Sequence, residues 1–259
     1  MGSLLSIIGN SKSLNIEGII NDSAFVPPPR NPNAGDNFNN IFFVNSKNGN
    51  RISYMHFKPK NTNLGHKNKK CIIFSHGNGC DIFTMHDYLM QLYYNLNIDI
   101  ICYDYQGYGL SEGVPSEQNC YDDITVIVDE CKNKLGFEKK NLILVGQSLG
   151  TAIVVDYIYK NEWEFPVMLI SPFKSIISIV YDSSLLNYFD RFKSLEKIKN
   201  VHCPVKILHG EKDKLIAISH AKTLYRALNN KSLLPVWFAN ADHINILGYV
   251  SIEHFQELF

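Results

Sequence analysis

Gly146-Gln147-Ser148-Leu149-Gly150 fits G-x-S-x-G, the pattern in which a strand turns sharply into a helix and holds a serine hydroxyl at the tip. Alone the five residues are a weak signal, since ordinary glycine and serine usage produces them by chance in roughly one chain of this length in ten. Their context is specific: Leu142-Ile143-Leu144-Val145 leads in as a buried strand, and Thr151 to Tyr157 continues as a helix. A serine hydroxyl is a poor nucleophile at neutral pH, so it needs a histidine to take its proton and a carboxylate to hold that histidine's tautomer. Asp213 follows the strand-like run Val205 to Leu208 through His209-Gly210-Glu211-Lys212, and His243 comes just after the last such run. Serine, acid, histidine is the order this motif expects. Glu211 and Asp190 are rival acids whose plain reading is a solvated loop carboxylate. Among the other histidines, His56 and His66 read as surface or hairpin residues, and His254 as part of the terminal helix. His209 reads as support for its turn and His220 as a helix-start neighbour of Asp213.

Acyl transfer also needs donors aimed at the oxygen that becomes negative. The run Cys71 to Phe74 enters Ser75-His76-Gly77-Asn78-Gly79, a glycine-rich turn expected to open a helix at Asp81. The backbone N–H groups of Leu149, next to the serine, and of Asn78 are the expected donors. A phosphate loop is the competing reading of Gly77-Asn78-Gly79, but the lysine-serine ending and the third glycine that nucleotide motifs require are missing.

These residues need a sheet to hold them. Phe42 to Asn45 and Arg51 to Lys58 flank an Asn-Gly turn and predict an antiparallel hairpin. Later strands are buried runs at Cys71 to Phe74, Ile98 to Tyr103, Leu142 to Val145, Val167 to Ile170, Val205 to Leu208 and Pro235 to Ala239. Helical patterns over 81–95, 121–135, 149–160, 219–229 and 248–258 lie between or after them. The alternation predicts an α/β fold with a mostly parallel sheet and helices on both faces. Val26-Pro27-Pro28-Pro29-Arg30 cannot be helix, so residues 1–36 read as an N-terminal extension and 37–259 as one domain.

The 259 residues carry 25 basic and 25 acidic side chains, which removes the overall attraction a nucleic-acid binder usually shows. Six scattered cysteines with no CxxC pair read as reduced thiols, in a reducing compartment, and support neither a zinc ribbon nor a redox site. No apolar run reaches the roughly 18 residues of a membrane span, and the start lacks the basic and apolar regions of a secretory signal.

With these residues in place, the chain resembles the bud-emergence-related α/β hydrolases, which include membrane-anchored depalmitoylases. The marks are Ala24-Phe25-Val26-Pro27-Pro28, Phe74-Ser75-His76-Gly77-Asn78, Tyr103-Asp104-Tyr105-Gln106-Gly107-Tyr108-Gly109, Pro115-Ser116-Glu117, Gly146-Gln147-Ser148 and His209-Gly210 through Asp213. The resemblance implies an α/β-hydrolase fold with Ser148 as nucleophile, Asp213 as acid and His243 as base. It further implies an acyl-ester or acyl-thioester substrate on a protein or lipid, with no metal and no organic cofactor. One departure concerns the anchor: no cysteine precedes Cys71, whereas the depalmitoylases carry theirs near the N-terminus. Met1-Gly2-Ser3-Leu4-Leu5-Ser6 instead fits the myristoylation pattern, so Gly2 is the expected lipidation site and peripheral attachment to the cytoplasmic face of a membrane the expected location. Between the strands ending near Ile170 and starting near Val205 only a small cap fits. Its Ile176, Ile177, Ile179, Val180, Leu185, Leu186 and Phe189 either line an acyl groove or pack on the sheet.

Overall fold

A computed structural model describes residues 25–31, 33–59, 69–180 and 190–259. Its strands are β1 (Ile41–Asn45), β2 (Arg51–Phe57), β3 (Cys71–Ser75), β4 (Asp99–Tyr103), β5 (Leu142–Gln147), β6 (Val167–Ile170), β7 (Val205–Gly210) and β8 (Val236–Phe238). They form one sheet in the order β1-β2-β4-β3-β5-β6-β7-β8. β1 and β2 form the antiparallel hairpin, β2 meets β4 antiparallel, and every later pairing is parallel. Each expected strand is present.

The helices are α1 (His86–Leu96), α2 (Glu117–Asn133), α3 (Leu149–Lys160), α4 (Ile176–Val180), α5 (Ser194–Ile198), α6 (Ile218–Ala227) and α7 (Ile252–Gln256). Successive strand residues point to opposite faces, and the apolar core divides accordingly. Ile73, Leu144, Leu169 and Ile207 join a layer with Ile124 and Val128 of α2, Val154 of α3 and Leu224 of α6. Ile72, Phe74, Val145 and Ile170 join the opposite layer with Leu89 and Leu92 of α1 and Phe255 of α7. Continuous apolar strands are therefore explained by helices on both sides of the sheet.

Three expectations need correction. The helix expected from Asp81 begins at His86, because the Asp81 carboxylate accepts the N–H groups of Phe83 (3.1 Å) and Thr84 (2.8 Å) and closes a turn instead. The terminal helix is divided into a 3-10 turn, Ile246–Tyr249, and α7, whose start Ser251 and His254 cap reciprocally. His56 lies on the hairpin but is buried, its Nε2 2.8 Å from Asp99 on β4. His66 lies outside the described residues.

Part of the segment read as an extension belongs to this core. Phe25 is buried with its ring 5.9 Å from that of Phe192, a burial that contributes about 2–3 kcal/mol. Between β6 and β7 the chain forms the cap with α4 and α5. Ile176 and Ile179 pack against the core there, and Leu185, Leu186 and Phe189 lie outside the described residues.

Candidate active site

Strand register brings the carboxyl ends of β3 to β8 to one edge of the sheet. Ser75 pairs with Gly146, Gln147 with Ile170, Ile170 with Leu208 and Gly210 with Phe238. Side chains that follow β5, β7 and β8 therefore meet above that edge, where sites in open α/β sheets form.

Ser148 sits between β5 and α3 with φ +49° and ψ −114°, a conformation that costs a non-glycine residue about 1–3 kcal/mol. Its surroundings hold it there: the Ser148 N–H donates to Ile170 O at 2.8 Å, and Thr151 donates to Ser148 O through N (3.0 Å) and Oγ1 (2.6 Å). The turn explains both motif glycines. A Cβ on Gly146 would stand 2.5 Å from Gly150 O, and one on Gly150 would stand 2.0 Å from Ser75 O.

His243 Nε2 lies 3.1 Å from Ser148 Oγ, and His243 Nδ1 lies 2.7 Å from Asp213 Oδ2. The other carboxylate oxygen of Asp213 accepts the N–H groups of Leu215 (2.9 Å) and Ile216 (2.8 Å), which aims the side chain. Burial pushes the Asp213 carboxyl up, but the hydrogen bonds from His243 and Ile216 and the two neighbouring imidazoles outweigh it and hold its pKa below the usual range. His209 supports this loop. Fully buried, it bonds Ile216 O through Nε2 at 2.8 Å and stands 3.5 Å from Asp213 Oδ2. Burial lowers its pKa and favours the neutral ring. The rival acids are elsewhere: Glu211 is exposed, and Asp190 accepts the Ile177 N–H of α4 at 2.9 Å. His220 is buried on α6, its Nδ1 3.4 Å from the Lys174 N–H.

Leu149 opens α3, and the N–H of a first helical residue has no acceptor within its own helix. The loop after β3 lies against the serine, since a Cβ on Gly77 would be 3.7 Å from Ser148 Cβ. Asn78 follows directly. The structure thus brings Ser148, His243, Asp213, Leu149 and the Asn78 loop together, while Gly2 lies outside the described residues.

The side chains that brace that loop carry no catalytic motif of their own. Tyr103, Tyr105 and Tyr108 are fully buried and stack edge to face at 5.5 and 5.4 Å. Their hydroxyls meet Ser75 Oγ (2.8 Å), His76 O (2.6 Å) and Asn78 Oδ1 (2.6 Å) in turn. Asp104 between them accepts Ser53 Oγ (2.8 Å) and the Ile82 N–H (2.9 Å). Behind the tyrosines, Asp123 of α2 accepts Gln106 N and Nε2, both at 2.9 Å, and burial raises its carboxyl to about 7. The tyrosines at 103, 105 and 108 were the available signal. Tyr103 reads equally well as an ordinary strand residue, and Tyr105 and Tyr108 stand out only within the resemblance.

Comparison with known proteins agrees with this architecture. The chain is 43% identical, over 100% of its length and 98% of the relative's, to a protein of Acanthamoeba polyphaga mimivirus that bears an alpha/beta hydrolase name. The chain belongs to the alpha/beta hydrolases. The model of the family described as "Serine aminopeptidase, S33" matches residues 66–192 of this hydrolase. The alpha/beta hydrolase domain-containing proteins aho-3 of Caenorhabditis elegans and 17C of Mus musculus are 36% and 33% identical over 68% and 81% of the chain. The hydrolase spans 52% and 63% of their own lengths. Among solved structures, Pyrococcus furiosus esterase Pf2001 superposes with a TM-score of 0.70 at 15% identity, covering 90% of this chain and 96% of that one. Mouse alpha/beta hydrolase domain-containing protein 10 does so at 0.56 and 17%, covering 84% and 94%. No helix among the described residues is long and apolar enough to cross a membrane.

Proposed function

We propose that this alpha/beta hydrolase is a serine hydrolase of long-chain acyl thioesters on proteins, held at a membrane by a myristoyl group on Gly2. The observation that carries the chemistry is the line Ser148 Oγ, His243, Asp213, with contacts of 3.1 and 2.7 Å. In the proposed reaction His243 Nε2 takes the Ser148 hydroxyl proton as Oγ attacks the acyl carbonyl, while Asp213 stabilises the imidazolium. The N–H groups of Leu149 and Asn78 receive the oxyanion, each such donor lowering the barrier by about 3 kcal/mol. The intermediate then expels the thiolate, which takes the proton from His243. Water, deprotonated by the same nitrogen, attacks the acyl-serine, releases the fatty acid and restores the Ser148 hydroxyl.

Support for an apolar acyl group comes from the rim of the site. Leu215, two residues after Asp213, is 59% exposed, and Ile244, beside His243, is 90% exposed. A cysteine thiolate, with an ordinary pKa of about 8.5, leaves more readily than an alkoxide. The resemblance to the depalmitoylases supports the same substrate class. Turnover of acyl thioesters of increasing chain length tests this reading: rates should rise toward octanoyl and longer. Much faster turnover of p-nitrophenyl acetate would favour a small-ester carboxylesterase. Attachment is tested by comparing membrane fractions of wild type and Gly2→Ala carrying a C-terminal tag. Equal recovery of the two would rule out the myristoyl anchor. One such chain binds only marginally, so Leu4, Leu5, Ile7 and Ile8 are its proposed supplement.

A further inference from the structure

The main-chain N–H of Val26 donates to Oδ1 of Asn78 at 3.0 Å, the same oxygen that receives the Tyr108 hydroxyl at 2.6 Å. A backbone N–H can only donate, so the Asn78 amide must present its oxygen there, which makes Tyr108 the second donor. One carbonyl oxygen is thereby gripped from two sides. One grip comes from the loop after β4, the other from a segment 52 residues away in sequence. Phe25 seats that segment, its buried ring edge-on to Phe192 at 5.9 Å, with Phe192 in turn 5.7 Å from Tyr121 of α2. Pro27, Pro28 and Pro29 follow and restrict the backbone to extended conformations. Val26 itself is 59% exposed, so its N–H rather than its side chain makes the connection.

We infer that Phe25 and Val26 form a strap that positions the oxyanion loop, with Val26 acting through Asn78 as a positioning residue. The inference rests on the serine-hydrolase reading above. Within the loop, the Cys80 N–H donates to Gly77 O at 3.1 Å and closes the turn. Gly77 and Gly79 on either side of Asn78 add little backbone restriction of their own, so the two bonds to its side chain help to hold its peptide groups in place. An oxyanion donor works only within about 0.2 Å of its proper distance, and displacements near 1 Å cost up to about 100-fold in rate. A strap bond at this loop therefore acts on turnover, with substrate affinity left to the rim.

Val26→Pro removes the N–H and turns the ring Cδ toward Asn78 Oδ1, so it takes this bond away outright, while the extended backbone that a residue before Pro27 favours suits a proline. Val26→Ala keeps the N–H and serves as the control. The strap predicts that Val26→Pro lowers kcat on an activated ester about tenfold with KM unchanged, whereas Val26→Ala matches wild type. It also predicts faster hydrogen–deuterium exchange of the amides in 75–82 in Val26→Pro alone, a readout that requires no turnover. Tyr108→Phe, which removes the other donor, should give the same signature in both measurements. Wild-type kcat in Val26→Pro, with Ser148→Ala inactive, would overturn the strap and leave the nucleophile assignment standing. Unchanged exchange in 75–82 would overturn it as well. Were Ser148→Ala to hydrolyse the ester as wild type does, the nucleophile assignment would fall and the exchange result alone would decide the strap.

Discussion

Nε2 of His243 stands 3.1 Å from Oγ of Ser148, although 95 residues separate them in the chain. That distance is within hydrogen-bond reach for proton transfer. If the two act as a unit, their losses are not additive. Ser148→Ala or His243→Ala should each lower kcat at least ~1,000-fold, about 4 kcal/mol of barrier, and the double substitution should cost little more. Steady-state kinetics on the three variants checks this.

Asp213 Oδ2 lies 2.7 Å from His243 Nδ1, placed to hold that ring's tautomer, and its carboxyl stays below the usual range because its bonds outweigh its burial. Asp213→Asn keeps an oxygen for the N–H groups of Leu215 and Ile216, so the loop should persist while kcat near pH 7 falls about 10³- to 10⁴-fold. A depressed folded pKa means stabilisation that is present above the ordinary carboxylate range and lost as pH falls through the depressed value. The stability advantage of wild type over Asp213→Asn should accordingly shrink at acid pH, as denaturant melts of both proteins would show.

Asp123 has the opposite sign. Burial raises its carboxyl to about 7, so the folded protein binds a proton that the unfolded chain, at about 4, has released. Between those values this group should lower stability as pH rises, by up to about 1.4 kcal/mol per unit. Carboxyl carbon NMR should place its midpoint near 7, and a midpoint near 4 would contradict the burial argument.

The strands and the line of candidate residues were legible in sequence because they rest on local signals. Apolar runs mark strands buried on both faces, and Ser148, Asp213 and His243 follow three of them. Features that depend on distant partners were not legible. The helix at His86 starts late because the Asp81 carboxylate competes for two N–H groups, and His56 is buried because Asp99, on another strand, offers it a partner. The tyrosine ladder was hidden for the same reason: its hydroxyls matter only once β4 lies beside β3.

Gly150 tests the elbow itself. A Cβ there would overlap Ser75 O at 2.0 Å, and a backbone oxygen in the central strand β3 has little room to move. Gly150→Ala should destabilise the fold by about 3 kcal/mol and shift the urea midpoint with m unchanged.

The central claim is that Ser148 is the activated nucleophile, and reaction with a fluorophosphonate tests it most directly. Digestion and mass spectrometry of the labelled protein should find the phosphonyl group on the peptide containing Gly146-Gln147-Ser148, with labelling abolished in Ser148→Ala and strongly reduced in His243→Ala. Absence of labelling in folded wild-type protein, or undiminished labelling of Ser148→Ala, would contradict the account.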